Sequence, residues 1–256
     1  MANVLIKIEY DGTNFSGWQI QPEGRTVQGE IEHVLKFIAM EDVHIHGTSR
    51  TDAGVHALGQ CASLEWNSNM PVEKLPEVMN RRFGAGGLGR QGSEGDIRIL
   101  SAEVMPDEFH ARYDCKGKTY RYLIDKTGDI FRRNYAYQFP EVAALDIDRM
   151  RSACEHIIGT HDFKCFETAG GTPRETTVRT ISELTVIDQP NEIVVEITGD
   201  GFLYNMVRII VGTLVEVGLG KKEPADVAKA IELRDRSLAG FTAPPQGLYL
   251  SEIYFR

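Results

Sequence analysis

Three groups of residues in this chain of 256 have types and spacings that could do chemistry. The densest is Gly47-Thr48-Ser49-Arg50-Thr51-Asp52-Ala53-Gly54-Val55-His56-Ala57. Arg50 and Asp52 stand two apart, which in an extended segment puts both on one side. Beside small Ala53 and Gly54, the Asp52 carboxylate can be approached closely. The same pattern also suits a turn in which Asp52 accepts backbone N–H groups. Arg208 comes second, among Met206, Val207, Ile209, Ile210 and Val211. A guanidinium keeps its charge, so burying one requires an anion, architectural or functional. The third group is Phe109-His110-Ala111-Arg112-Tyr113 followed by Lys118-Thr119-Tyr120-Arg121-Tyr122. Rings stack on unpaired bases and cations neutralise phosphates. An amphipathic strand with Tyr120 and Tyr122 on one face and Arg121 on the other is the plainer alternative.

Other patterns are weaker. His44 and His46 share a strand face at metal-ligand spacing, but no Cys/His/Asp cluster completes a site. His161 and Asp162 are adjacent and point apart in an extended segment. Gly84, Gly86 and Gly89 spell G-x-G-x-x-G, yet no buried strand precedes them and no helix follows, so a dinucleotide site is rejected. G-x-S-x-G, P-loop and H-E-x-x-H motifs are absent.

The elements that must position these residues follow from periodicity. Val4–Tyr10 alternates as a strand, and Asp11-Gly12 is a turn. Thr26 can cap a helix with an apolar stripe of Val27, Ile31, Val34, Leu35 and Ile38. Strands are predicted at Val43–Gly47 and Gln60–Trp66, flanking the Asp52 loop, and at Ile97–Val104. Val72–Met79 reads as a short helix despite Pro76. Gly84–Gly95 reads as a loop. Further on, the spacing predicts a strand at Lys118–Ile124, a helix at Asp146–Ile158, a hairpin of Val178–Ile187 with Glu192–Thr198, helices at Met206–Val217 and Pro224–Leu233, and a closing strand at Gly247–Phe255. The expected class is α/β or α+β with a mixed, mainly antiparallel sheet. The basic stretch around 105–118 divides the chain into residues 1–108 and 109–256.

Hydrophobic residues make up 42% of the chain and charged ones 25%, an ordinary globular composition. The longest apolar stretch, Phe202–Leu219, is broken by Asn205, Arg208 and Glu216, so no membrane span is expected. The N-terminus does not read as a signal peptide. Cys61, Cys115, Cys154 and Cys165 are scattered, as expected of reduced thiols in a cytoplasmic protein. A net charge of −9 weighs against a polyanionic partner, but residues 109–133 hold seven Lys/Arg against three Asp. An acidic chain with one basic face can still bind RNA locally.

Taken together the motifs resemble the TruA family of tRNA pseudouridine synthases. The resemblance runs through Ile8-Glu9-Tyr10-Asp11-Gly12-Thr13-Asn14-Phe15-Ser16-Gly17-Trp18-Gln19, Thr26-Val27-Gln28-Gly29-Glu30, the Asp52 motif, Phe109–Tyr113, Tyr120-Arg121-Tyr122, Gly159-Thr160-His161-Asp162-Phe163, Phe202–Arg208 and Thr242–Leu248, in the family's order. Thr48 and Ser49 depart from it, since Ala and Gly are common there. Membership would imply two α/β domains with a cleft, a homodimer, and isomerisation of uridine to pseudouridine in the tRNA anticodon arm at nucleotides 38–40, with no cofactor and no metal. It would make Asp52 the nucleophile or proton acceptor, leaving open whether it attacks the sugar, attacks the base or assists elimination. Arg208 would pair with Asp52 and keep it ionised, and Tyr120 would stack on the extruded base. Arg50 would hold the space that base vacates, and Leu248 would wall the pocket. Phe109, His110, Arg112 and Tyr113 would contact RNA. Two rivals stay open: a tRNA-binding protein without catalysis, which would not need Arg50-Thr51-Asp52, and a carboxylate-dependent hydrolase, which lacks a convincing second carboxylate or metal.

Overall fold

The computed structural model describes residues 2–84, 95–170 and 175–255. The chain forms two compact units, Met1–Lys116 with Leu250–Arg256, and Gly117–Tyr249.

In the first unit β1 (Ala2–Tyr10) alternates as its sequence demands, burying Val4, Ile6, Ile8 and Tyr10. Next come α1 (Val27–Ala39), β2 (Ile45–Gly47), β3 (His56–Trp66), α2 (Leu75–Arg82) and β4 (Ile97–Met105). β1 lies antiparallel between β4 and β3, with Ile6 opposite Ala62 and Val4 opposite Leu64. β2 pairs with the far half of β3. The Thr26 hydroxyl accepts from the Gly29 N–H and caps α1, whose stripe of Val27, Ile31, Val34 and Leu35 is buried. Each such side chain contributes about 1.5–3 kcal/mol by leaving water.

In the second unit β5 (Gly117–Asp125) is followed by β6 (Tyr137–Gln138), α3 (Ile147–Cys154), β7 (Gly159–Asp162), β8 (Val178–Asp188), β9 (Glu192–Gly199), α4 (Met206–Gly218) and α5 (Pro224–Leu233). Its strand order is β5-β9-β8-β7, antiparallel throughout, with β6 parallel to the end of β5. α4 is buried apart from Arg208 and Glu216, which are partly exposed. β10 (Leu248–Tyr254) returns the chain to the first unit, beside β3. The class is therefore mixed α/β with mainly antiparallel pairing.

Several boundaries moved. The units divide after Lys116 rather than at 108, because 109–116 is tied to the first unit. Asn3 donates to the Phe109 carbonyl (2.6 Å), the Ala111 N–H to Ser63 Oγ (3.1 Å), and the Lys116 N–H to the Tyr254 carbonyl (2.7 Å). α3 stops at Cys154 instead of Ile158, turning toward Gly159 through bonds from Ile157 and Ile158 to the Cys154 carbonyl. Val72–Lys74 is a 3-10 turn, and Pro76 occupies the first turn of α2, where its missing N–H costs nothing. Residues 85–94, most of the glycine-rich loop, lie outside the described residues.

Candidate active site

Asp52 sits in residues 48–55, between β2 and β3, and that loop is fixed on both flanks. The Thr48 N–H and hydroxyl both donate to the Cys61 carbonyl (2.9 and 3.0 Å). Gln60, fully buried, clamps Ser49: its Nε2 donates to the Ser49 carbonyl (2.6 Å), and its Oε1 accepts from the N–H groups of Ser49 (3.3 Å) and Cys61 (3.2 Å). The Thr51 hydroxyl is bonded to the buried Tyr10 hydroxyl (2.7 Å), and the Thr51 carbonyl accepts from the Trp18 N–H (3.1 Å). Beyond Asp52, the Val55 N–H donates back to the Asp52 carbonyl (3.2 Å), and Gly54 has φ +78°. A single positive φ at the third position marks a type II turn with Asp52 at its head.

Thr48, Ser49, Thr51, Val55 and His56 are thus buried, while Arg50 and Ala53 are exposed and Asp52 is half-exposed. The support reaches back to the N-terminal segment. His56 Nδ1 accepts from the Gly12 N–H (3.0 Å). Gly17 adopts φ +101°, and a Cβ there would lie 2.8 Å from the Thr51 carbonyl oxygen. The chain next to the candidate carboxylate is packed too closely for any side chain at position 17.

The same unit holds Phe109–Tyr113. The Phe109 ring packs edge-on to Phe255 (5.2 Å), so it anchors the segment. Asp114 accepts from the His110 N–H (2.7 Å), and His110 Nδ1 accepts from the Arg112 N–H (3.1 Å). That nitrogen therefore bears no proton. Burial, reinforced by His46, holds the His110 pKa below the usual histidine range. The His110 ring lies 5.0 Å from His46 and 4.4 Å from Tyr113. Arg112 and Tyr113 are exposed, Tyr113 by 76%.

The second unit positions the remaining candidates. Tyr120, Tyr122 and Ile124 share the buried face of β5, as the alternation requires. Tyr120 stands edge-on to Phe202 (5.2 Å, 87°). The Tyr122 hydroxyl donates to the Pro244 carbonyl (2.7 Å), and burial raises its pKa. Arg208 Nε donates to the Ala243 carbonyl (2.6 Å), and its guanidinium also donates to Asn205 Oδ1 (2.8 Å). In return the Ala243 N–H donates to the Arg208 carbonyl (3.0 Å). Asn205 precedes α4 in the left-handed conformation, which Asn tolerates better than most residues. Leu248 is buried at the start of β10.

Much of the basic stretch is engaged locally. Arg121 meets Glu196 (3.3 Å), Lys126 meets Asp188 (2.7 Å), and Arg132 pairs with the buried Asp125 and with Glu192. Among the described residues Arg112 and Lys116 form no ion pair. No group of three or more His, Cys, Asp or Glu among the described residues could hold a metal. His44 instead faces Glu32 (3.2 Å). Burial pushes the thiols of Cys61, Cys154 and Cys165 up to about 12, which leaves them protonated and poor nucleophiles near neutrality. A cavity of about 410 Å³ between Glu155, His161 and Glu232 is lined by none of the candidate residues.

A family model described as tRNA pseudouridine synthase matches residues 6–114 and 153–256. The chain belongs to that family. The curated tRNA pseudouridine synthase A 2 of Clostridium tetani is 44% identical over 99% of this chain and 98% of its own. The tRNA pseudouridine synthase A of Caldicellulosiruptor bescii is 43% identical over the whole of both chains. A solved Cbf5-Nop10-Gar1 complex aligns with 99% of this chain and 56% of that one, at 14% identity and a TM-score of 0.34, too low to carry an argument. As a pseudouridine synthase of TruA type the chain is an isomerase. The family match covers Arg50, Asp52, Phe109, His110, Arg112, Tyr113, Arg208 and Leu248, while Tyr120 falls between its two segments. No helix among the described residues is long and apolar enough to cross a membrane.

Sequence reasoning gave no role to Gln60, Tyr10 or Asn205. A glutamine inside the largely apolar run of β3 was the available signal, since a buried polar side chain needs designated partners.

Proposed function

We propose that this chain isomerises uridine to pseudouridine in the anticodon arm of tRNA, at nucleotides 38–40, with Asp52 as its nucleophile. The supporting observation is the Asp52 loop: a half-exposed carboxylate heads a tight turn while Ser49, Thr51 and Val55 around it are buried. A group held this way is pre-oriented, and orientation is what the reaction needs. The N1–C1′ bond breaks, the base turns, and C5 joins C1′; N1 gains a hydrogen and C5 loses one, so mass is unchanged. The target uridine must leave its stack to reach the carboxylate.

Arg50, exposed two residues before Asp52, takes the space that the uridine leaves. Arg208, Tyr120 and Leu248 take the parts their resemblance to the family gives them: counter-ion to the carboxylate, stacking partner of the extruded base and apolar wall. His110, Arg112, Tyr113 and, more indirectly, Phe109 serve RNA binding. The enzyme works as a cytoplasmic homodimer without a cofactor. The test is Asp52→Asn on undermodified tRNA with pseudouridine mapped chemically. Product should vanish while tRNA binding persists; turnover at the wild-type rate would remove Asp52 from the reaction.

A further inference from the structure

His46 has no part in the assignments above, yet it completes a ring cluster. It comes from β2, whereas His110 and Tyr113 come from the 109–114 turn, and the three rings follow one another at 5.0 and 4.4 Å with interplanar angles of 31° and 39°. The turn is rigid. Both the Tyr113 and Asp114 N–H groups donate to the His110 carbonyl (3.0 Å each), and Asp114 and Ser63 hold its other end. The central imidazole is fixed in its plane by the Arg112 amide, with the bonded nitrogen bare. His46 and Tyr113 leave the ends of the cluster in solvent, and the exposed Arg112 stands next to it without a carboxylate partner among the described residues. An exposed cluster of tilted rings held by hydrogen bonds, with a cation beside it, suits an unpaired base and its phosphate. Asp52 lies six positions after His46, which limits their separation to about 20 Å, a few nucleotides of single strand.

We propose that His46, His110 and Tyr113 form one platform on which an unpaired base of the tRNA stacks, a few nucleotides from the uridine presented to Asp52. This rests on tRNA being the substrate. The platform selects RNA that is single-stranded beside the target.

The experiment measures equilibrium binding, at one salt concentration, of a tRNA transcript and of a fully paired RNA duplex to the wild-type chain and to His46→Ala, Tyr113→Ala and His46→Phe. Single-turnover pseudouridine formation is followed in parallel, with thermal unfolding as the control for folding. Loss of one base stack should weaken tRNA binding by roughly 5- to 150-fold. His46→Phe should restore most of the affinity, and duplex binding should not change. Wild-type tRNA affinity in both alanine variants would overturn the platform while leaving the isomerase intact. Equal weakening for duplex and tRNA would overturn it too, by showing a purely electrostatic contact. Tight binding without any pseudouridine in the wild type would instead overturn the proposed reaction. Failure of the wild type to bind tRNA would end both.

Discussion

Gln60→Met isolates what holds the Asp52 loop in place. Methionine matches glutamine in length and volume, so the change removes three hydrogen bonds with little change in packing. The Ser49 N–H and carbonyl lose a partner inside the protein, and each buried group so deprived costs about 1–3 kcal/mol. Arg50 next to them is exposed, so water can reach part of the site, and about 3 kcal/mol in total is a fair expectation. Against a total stability of about 5–15 kcal/mol the variant still folds. In a chain of this size the melting temperature should fall by roughly 6–12 °C. The catalytic effect should be comparable in free energy to the structural one. A shift of about 1 Å at Asp52 is enough to cost on the order of 100-fold in the chemical step. Single-turnover pseudouridine formation at saturating enzyme reads that step, and tRNA affinity should change less than threefold or so, because Ser49 is buried and presents nothing to RNA. A variant that melts within about 2 °C of wild type and reacts at the wild-type rate would refute the idea that Gln60 positions the loop.

Gly17→Ala forces a side chain into a left-handed backbone 2.8 Å from the Thr51 oxygen; backbone strain alone should cost about 1–3 kcal/mol in urea unfolding, and the single-turnover rate should fall with it. Arg208→Ala removes the bonds to Ala243 and Asn205, for a loss of about 2 kcal/mol after allowing for partial exposure; Arg208→Lys should recover less than half, since one ammonium cannot reproduce the fork. His110 should titrate below the ordinary histidine value of 6.5 in ring-nitrogen NMR, and His46→Ala should move its midpoint up, because burial and then His46 depress it. As a depressed pKa, its stabilising contribution is complete above the ordinary histidine range and is lost as pH falls through the folded-state midpoint, when a proton displaces the Arg112 N–H. A midpoint at or above 6.5 would refute that geometry.

Some of this was legible in the residues because the causes are local. The Thr26 cap and the apolar spacing of α1, the largely apolar run of α4 and the turn residues between β8 and β9 each act within a few positions of themselves. The motif around Asp52 was legible as a candidate, but not what holds it. Tyr10 meets Thr51 across 41 positions and Gln60 grips Ser49 across 11; only Gln60 carries a local mark, as a polar residue in a largely apolar strand, and nothing local names its partner. The division of the chain was misplaced for a related reason. Residues 109–116 look like a charged connector, whereas their backbone groups are committed to Asn3, Ser63 and Tyr254. Arg208 was expected to need an anion, and two neutral oxygens from its own unit are among its partners.

Residues 250–256 belong with the unit that begins the chain, and the ribosome delivers them only after all of 117–249. At synthesis rates of about 5–20 residues per second that delay is on the order of ten seconds. Throughout it the half bearing Asp52 lacks the strand beside β3 and the carbonyl that receives Lys116. The first unit is therefore structurally incomplete until residues 250–255 emerge, and removing them should destabilise the unit that carries Asp52.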